Sequence, residues 1–255
     1  MIADTKIQIL IMGKFYYQGF NVGAREQQYF HGASVHSFAK SESFEKYRSV
    51  LREIYDENLK DNYFFENKYR ATKDLRPNAY EYDDSIIDVL LDSNIHQKMI
   101  ELFGYEMFLC HVQVRISFNQ KDFSYMPWHR DTYIYEDNKV IGPVPPMKKV
   151  IYYPKFDGVD NNCLLLALGS HLKTKHVKSE DIEQLNDLPI TSVKNSKDKF
   201  VIFNTECLHH ALPPESKKQL RVIYSFCPVG QLDHHDSTVV YEKYMQRLNE
   251  NIHNK

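Results

Sequence analysis

The spacing of apolar residues changes character near the middle of the chain. In the first hundred residues, apolar side chains recur every three to four positions, most clearly over residues 44–55. This period predicts an amphipathic helix within a mainly helical region. A second helical stretch is expected over residues 85–103, in two pieces, because residues 92–94 offer a new N-cap and Gly104 a C-terminal stop.

After Gly104 the apolar period falls to two. Val112, Val114 and Ile116 alternate with polar residues, which predicts a strand with one apolar and one polar face. Further strands are expected at residues 148–153, 163–168, 199–203 and 220–226. Because these short strands are not separated by long helices, they predict a sandwich or jelly roll. An amphipathic helix over residues 239–248 ends the pattern.

Composition and charge restrict the class of protein and the kind of partner. The chain has 255 residues, of which 42% are hydrophobic and 26% charged, as expected for a globular protein with a sizeable core. We expect one domain over residues 1–255, with 1–104 as mainly helical support, 105–228 as the jelly-roll core and 229–255 as a tail or helix. The formal net charge of -2 provides no global attraction to nucleic acid or anionic membrane, and no apolar run reaches membrane-spanning length. A small-molecule substrate is therefore expected.

The cysteines bear on the redox compartment. They are Cys110, Cys163, Cys207 and Cys227, each within an apolar stretch. Their wide spacing matches neither a zinc ribbon nor a redox pair, so we expect reduced core residues of a cytoplasmic protein. No feature of the sequence predicts an oligomeric state.

Candidate metal ligands lie in the segment Trp128-His129-Arg130-Asp131. Residues two apart on a strand face the same way, so His129 and Asp131 would present an imidazole and a carboxylate to one side. A third ligand is available from the adjacent His209 and His210. Two histidines and a carboxylate form a facial triad with open positions, which suits iron(II) enzymes that bind a chelating co-substrate and dioxygen. Zinc more often takes four ligands.

A cation for such a co-substrate lies on the strand predicted at residues 220–226. Arg221 and Ser225 share the face opposite to its apolar residues. A guanidinium binds a carboxylate through two parallel hydrogen bonds, so Arg221 can hold the far carboxylate of 2-oxoglutarate while the keto-acid end chelates iron. Gln113, on a neighbouring polar face, can add a donor or serve as a structural hydrogen-bonding group.

Together these segments resemble the phytanoyl-CoA dioxygenase family and, within it, the branch that contains ectoine hydroxylase. The resemblance spans roughly residues 104–226. It rests on residues 111–118, on Trp128-His129-Arg130-Asp131, on residues 164–171, and on the interval of eleven positions from His210 to Arg221.

The resemblance implies a mainly β fold with flanking α-helices, a double-stranded β-helix of the jelly-roll or cupin type with a helical N-terminal region. It implies iron(II) held by His129, Asp131 and His210, because the family's His-to-Arg interval favours His210 over His209, and 2-oxoglutarate anchored by Arg221. It also implies a dioxygenase that uses O2, releases succinate and CO2, and hydroxylates a C–H bond. The carboxylate of Asp131 argues against the related halogenases, which have a small residue there.

Four residues are candidates for contact with the substrate: Trp128, Tyr133, Tyr135 and His171. The two tyrosines share the predicted strand face of the His-x-Asp pair, whereas a tryptophan in this setting more often packs in a core. The expected substrate is a small polar metabolite or biosynthetic intermediate, such as a sugar or amino-acid derivative.

Two alternatives stand beside this expectation. One is the same chemistry on a carrier-bound substrate, an acyl-CoA or lipid-linked molecule, for which Lys148 and Lys149 could form a basic patch at the mouth of the site. The other is a non-catalytic jelly-roll module that binds a metal or ligand. The joint presence of the triad and Arg221 argues against a module without catalysis.

Overall fold

The helices and strands come from a computed structural model, which describes residues 9–10, 14–17, 20–21, 23–57, 64–67, 71–75, 79–119, 128–131, 133–136, 139–143, 147–172, 188–228 and 235–253. The strands are β1 Ile9–Leu10, β2 Lys14–Tyr17, β3 Phe20–Asn21, β4 Ala33–Ser37, β5 Phe64–Asn67, β6 Thr72–Leu75, β7 Phe108–Phe118, β8 Tyr133–Glu136, β9 Lys139–Pro143, β10 Lys148–Tyr152, β11 Asn162–Ala167, β12 Ile190–Lys194, β13 Lys199–Asn204, β14 His209–Ala211 and β15 Lys218–Cys227. The helices are α1 Ala24–His31, α2 Glu42–Tyr55, α3 Ala79–Tyr82, α4 Ser85–Asp92, α5 Ile95–Phe103 and α6 His235–His253.

Two antiparallel sheets form the body of the fold. The larger has seven strands in the order β4-β13-β10-β15-β7-β6-β5, and the smaller has the order β12-β11-β14. A layer of apolar side chains lies between them, contributed by strands of both sheets. This is the double-stranded β-helix with helices outside it, so the predicted fold class is confirmed.

The outer face of the large sheet packs against the helices. Leu220, Val222, Tyr224 and Phe226 of β15 join one buried apolar cluster with residues of α2, α4, α5 and α6. The Tyr224 hydroxyl lies 2.9 Å from the Tyr47 hydroxyl and 2.9 Å from the Ile86 carbonyl, so its polar atom has partners within the core.

The predicted helical periods are confirmed. Helix α2 buries the apolar stripe identified from spacing and begins at Ser41, whose hydroxyl accepts a hydrogen bond from the Phe44 amide. The second stretch divides into α4 and α5, separated by Ser93 and Asn94. Gly104 ends α5 with a φ of 79°, in the left-handed region that favours glycine.

Strands from the N-terminal region were not predicted. β4 pairs with β13, and β6 pairs with β7, so both extend the large sheet. β6 has the sequence Thr-Lys-Asp-Leu, which lacks a strand pattern of its own and is stabilised by pairing. The proposed division of the chain at residues 104 and 228 stays a prediction.

All four cysteines are free and buried, as expected of reduced core residues.

No helix in the described parts of the chain combines the length and apolarity that crossing a membrane requires.

Candidate active site

A cavity of about 280 Å³ lies between the two sheets. His129, Asp131 and His209 line it at one end, and Arg221 and Arg115 line it further along the inner face of the large sheet. The apolar parts of its wall include Ile151, Phe203 and Ile223, which belong to the layer between the sheets. The cavity therefore joins a set of metal-ligating side chains to a pair of cationic ones.

The three candidate ligands are within reach of one ion. Their donor atoms all lie within 4.8 Å of one another, and within the described residues they form the one such group of histidine, cysteine and acidic side chains. Asp131 Oδ1 is 3.6 Å from His129 Nε2, and Asp131 Oδ2 is 3.2 Å from His209 Nε2. Two imidazoles and one carboxylate are the donor set of an iron(II) facial triad, so these residues fit that metal.

Strand pairing decides which of the two adjacent histidines joins the group. His129 and His209 form an antiparallel bridge with reciprocal backbone hydrogen bonds of 3.0 Å. Residues directly opposite in such a pair project to the same face of the sheet. The next strand agrees, because His209 is opposite Leu166, whose side chain lies in the layer between the sheets. His209 is therefore directed into the cavity.

The expected placement of His210 in the triad is corrected by this geometry. His210 is opposite Leu165 and, one residue on from His209, projects to the other face of β14. Its ring stacks on Trp128, with ring centroids 5.8 Å apart. The structure therefore groups His209 with His129 and Asp131, whereas the interval of eleven positions to Arg221 favoured His210.

A backbone contact prepares His209 for ligation through Nε2. Its Nδ1 lies 2.9 Å from the Cys207 carbonyl oxygen. A carbonyl only accepts, so Nδ1 carries the proton and donates, which leaves the Nε2 lone pair of the neutral ring available to a metal. The side chain of His209 is only 7% exposed, so this orientation is held by its surroundings.

Asp131 is held in a cationic environment. Its Oδ2 accepts a hydrogen bond of 2.5 Å from Lys149 Nζ. Burial by itself raises the pKa of the Asp131 carboxyl, but the neighbouring His209 and Lys149 side chains outweigh it and hold that pKa well below its usual range. The carboxylate is ionised at neutral pH, as a metal ligand must be.

Arg130 ties the His-x-Asp segment to the loop that leads into β14. This side chain is buried and donates from Nη1 to the Ser170 carbonyl at 2.9 Å and to the Glu206 carbonyl. The Asp131 amide also donates to the Thr205 carbonyl at 3.1 Å. These contacts fix the distance between the two chain segments that supply the ligands.

The Arg221 end of the cavity contains polar atoms without partners. The buried atoms in question are Arg221 Nε, Gln219 Nε2, Tyr153 OH and Thr72 Oγ1. All four residues line the cavity, and none of these atoms has a partner of ordinary hydrogen-bond geometry among the described residues. The side chains of Arg221 and Tyr153 are nevertheless close enough for a hydrogen bond between them, which favours the charged guanidinium of Arg221. Each can donate, so together they form a cradle suited to an anion.

Arg221 differs from its neighbour in having no carboxylate in direct contact within the described structure, although Asp74 and Tyr153 favour its charged form. Arg115, directly across the strand pair from Arg221, is paired with Asp74 through Nε and through Nη2, the latter at 2.6 Å. Burial lowers the pKa of Arg221 from its ordinary value. A bound carboxylate would offset this cost, because charge-assisted pairing favours the ionised guanidinium.

Of the other predicted site residues, some line the cavity and some do not. Gln113 lines the cavity, whereas Ser225 is buried on the same face of β15 beside Lys149 and is not part of the lining. Trp128 packs with Leu208 and Ala167 and likewise does not line the cavity.

The remaining substrate candidates lie elsewhere. His171 is in the short 3-10 helix Ser170–Leu172, with Nε2 at 2.9 Å from the Tyr29 carbonyl and Nδ1 at 3.6 Å from Cys207 Sγ, away from the cavity. Tyr133 and Tyr135 belong to the β8–β9 hairpin, and their side chains are outside the described part of the structure.

Sequence reasoning missed Lys149 as a site residue. The expected basic patch of Lys148 and Lys149 is wrong, because the two side chains occupy opposite faces of β10. Lys149 lines the cavity, whereas Lys148 is buried on the outer face and donates to Asn204 Oδ1 at 2.9 Å. Strand alternation within residues 148–153 was the signal that could have separated them.

Comparison with solved structures identifies enzymes of similar fold. The non-haem alpha-ketoglutarate-dependent epimerase SnoN from nogalamycin biosynthesis aligns with a TM-score of 0.58 and 12% identity, over 83% of this chain and 87% of that one. HygX from Streptomyces hygroscopicus, with nickel, 2-oxoglutarate and hygromycin B bound, aligns with a TM-score of 0.58 and 16% identity, over 81% of this chain and 88% of that one. The carbocyclase SnoK from nogalamycin biosynthesis gives 0.60 and 12%, over 83% and 85%.

No family model and no curated protein matches the sequence. At these identities the structural similarity establishes the fold. The chain shares a double-stranded β-helix with non-haem 2-oxoglutarate-dependent enzymes.

Proposed function

We propose that the protein is an iron(II)- and 2-oxoglutarate-dependent dioxygenase of the phytanoyl-CoA dioxygenase type, with the ectoine hydroxylase branch as its nearest relatives. The observation that carries the proposal is the pairing of a His-Asp-His group with an anion cradle in one cavity. Similar folds in SnoN, SnoK and HygX support the same class. When bound, iron would supply oxidative decarboxylation of 2-oxoglutarate to succinate and CO2 with O2, and oxidation of a substrate C–H bond.

The chain's own residues would divide the work by position. His129, Asp131 and His209 would hold the metal, and His209 is already fixed in the right tautomer by its backbone contact. Arg221 would bind the distal carboxylate of 2-oxoglutarate, assisted by Gln219, Tyr153 and Thr72. Gln113 stays a candidate contact to the co-substrate from the same wall.

We propose a small polar molecule as substrate, with hydroxylation as the outcome and the cytoplasm as the location. The structure of HygX contains the small molecule hygromycin B, and four free buried cysteines accord with a reducing compartment. An epimerase and a carbocyclase share the fold, so the position of the substrate relative to the metal determines the outcome. A carrier-bound substrate has lost its support, because Lys148 and Lys149 do not form a surface patch.

An anaerobic visible spectrum tests the proposal. Iron(II) followed by 2-oxoglutarate should produce a metal-to-ligand charge-transfer band in the wild type and in His210→Ala, but not in Asp131→Ala or His209→Ala. His210→Ala is the matched control, since it removes an adjacent imidazole from the opposite face of the same strand. A folded wild type without the band would favour the non-catalytic binding module.

A further inference from the structure

Lys149 occupies a position between the candidate metal ligands and the rest of the cavity. It lies on β10 opposite Ser225, and its side chain is 18% exposed. Among the described residues, Asp131 is the acceptor that its ammonium group contacts, at 2.5 Å. An ammonium group has three donors, so this contact leaves donors directed towards the cavity that Lys149 lines.

Metal binding would change the charge balance around this lysine. Without a metal, Lys149 and Asp131 form a compensated pair. A divalent ion held by Asp131 must share that single carboxylate with Lys149, and two cations beside one anion repel each other. A second anion next to the metal would restore the balance, and the donors of Lys149 that do not contact Asp131 could bind it.

The two cations lie at different positions along the inner face of the sheet, as the two ends of a dianionic ligand require. Lys149 is opposite Ser225, which is four residues along β15 from Arg221. Four residues of a strand cover about 13 Å between backbone positions, and both long side chains reach inward from there. Arg115 is already compensated by Asp74, so Lys149 and Arg221 are the cavity cations that a dianionic ligand would serve.

We propose that Lys149 is a second anion anchor, which binds the carboxylate adjacent to the metal in a 2-oxo acid co-substrate while Arg221 binds the distal one. The inference rests on the proposed function and deepens it. A carboxylate of the primary substrate has the same chemistry, and binding measurements made without any primary substrate separate the two sources.

The proposal predicts separate effects on metal and co-substrate. Lys149→Met removes the anchor and also removes a cation that competes with the metal for Asp131. Affinity for the metal should therefore stay the same or increase, whereas affinity for 2-oxoglutarate falls. If Lys149 instead served only to orient Asp131, its loss would weaken the metal site, as the loss of an outer-shell partner does.

Isothermal titration calorimetry with nickel(II), and then with 2-oxoglutarate added to the nickel-loaded protein, provides the test. For Lys149→Met we expect 2-oxoglutarate affinity to fall about tenfold or more, the size of one charge-assisted hydrogen bond, with nickel affinity not reduced. Lys149→Arg should recover part of the loss. Lys148→Met is the matched control, because the neighbouring lysine lies on the outer face, and it should leave 2-oxoglutarate affinity unchanged.

Each other outcome has a distinct meaning. Nickel binding weakened tenfold in Lys149→Met would overturn the proposal in favour of an orienting role. Unchanged affinity for both nickel and 2-oxoglutarate would overturn it in favour of the primary substrate as the source of the anion. A nickel-loaded wild type that does not bind 2-oxoglutarate would instead reject the proposed function. Circular dichroism on every variant confirms that the protein compared is folded.

Discussion

On strand β15, alternate side chains enter two different environments. Leu220, Val222 and Tyr224 pack against the helices, and the hydroxyl in this group has hydrogen-bond partners. Gln219 and Arg221 project into the cavity, and each has a buried nitrogen without a partner. One strand therefore stabilises the fold with its outer face and leaves polar groups for a ligand on its inner face.

Along this one strand, the residues that stabilise the fold and the residues available to a ligand alternate. A buried polar atom without a partner costs free energy in the folded state, and a bound ligand, ion or water that pairs with the atom offsets this cost. Substitutions on the outer face should lower the free energy of unfolding and spare binding. Substitutions on the inner face should weaken ligand binding and change the free energy of unfolding little.

The largest effect is expected for Leu220→Ala, which truncates a fully buried side chain of the outer face. The lost burial and the cavity left behind should lower the free energy of unfolding by about 2–5 kcal/mol. Urea denaturation measures this, with nickel titration of the folded protein as the second reading. Arg221→Met, one residue along the strand, should change the free energy of unfolding little and should weaken the binding of 2-oxoglutarate. Equal loss of stability in both variants would remove the distinction between the faces.

The next largest difference is expected between the two adjacent histidines of β14, in their effect on nickel affinity. His209→Ala should weaken nickel binding by more than about 100-fold, beyond the range typical of outer-shell partners, because it removes a ligand. His210→Ala should leave nickel affinity within about threefold, because it removes a ring that stacks on Trp128 on the other face of β14. Calorimetric titration of both variants decides between them. A large loss in His210→Ala with binding retained in His209→Ala would reverse the assignment.

These cases show where sequence reasoning succeeded. The stripe of α2 and the alternation of β7 are local patterns, so period alone predicted both. The polar face of its strand likewise predicted that Arg221 faces inward, and Arg221 lines the cavity. Its role in binding a co-substrate stays a prediction.

What was missed depends on distant pairing. Whether His209 or His210 enters the cavity is set by the bridge to His129 and by the register with β11, eighty and some forty residues away. The strand β6 has no pattern of its own and forms because β7 is beside it. Register of this kind is a tertiary property that a single sequence does not display.

Arg130 lies outside the comparison of the two faces of β15, because it is buried but belongs to neither face. Its substitution should affect both metal binding and stability. Arg130→Met should weaken nickel binding by about 10- to 100-fold, because the His-x-Asp segment loses its ties to Ser170 and Glu206. The melting temperature should fall as well, since the Ser170 and Glu206 carbonyls lose a donor. A lower melting temperature with unchanged nickel affinity would make Arg130 a purely structural residue.

The smallest expected effect is the most direct test, because it compares two buried hydroxyls. Thr72 Oγ1 has no partner in the described structure and lines the cavity, whereas the Tyr224 hydroxyl is bonded on the outer face. Thr72→Val should leave the metal-free protein equally stable or up to about 1 kcal/mol more stable. It should lower the affinity for 2-oxoglutarate by about a few-fold. Tyr224→Phe should cost about 1 kcal/mol and leave 2-oxoglutarate affinity unchanged.

Urea denaturation and calorimetry on the same four preparations, wild type, both single variants and the double variant, complete this comparison. The two sites are on opposite faces of the sheet, so their effects should add within about 0.5 kcal/mol. Loss of stability in Thr72→Val would mean that its hydroxyl already has a partner in the free protein. The inner face would then be a polar core at that position, with no unpaired hydroxyl for a carboxylate to bind.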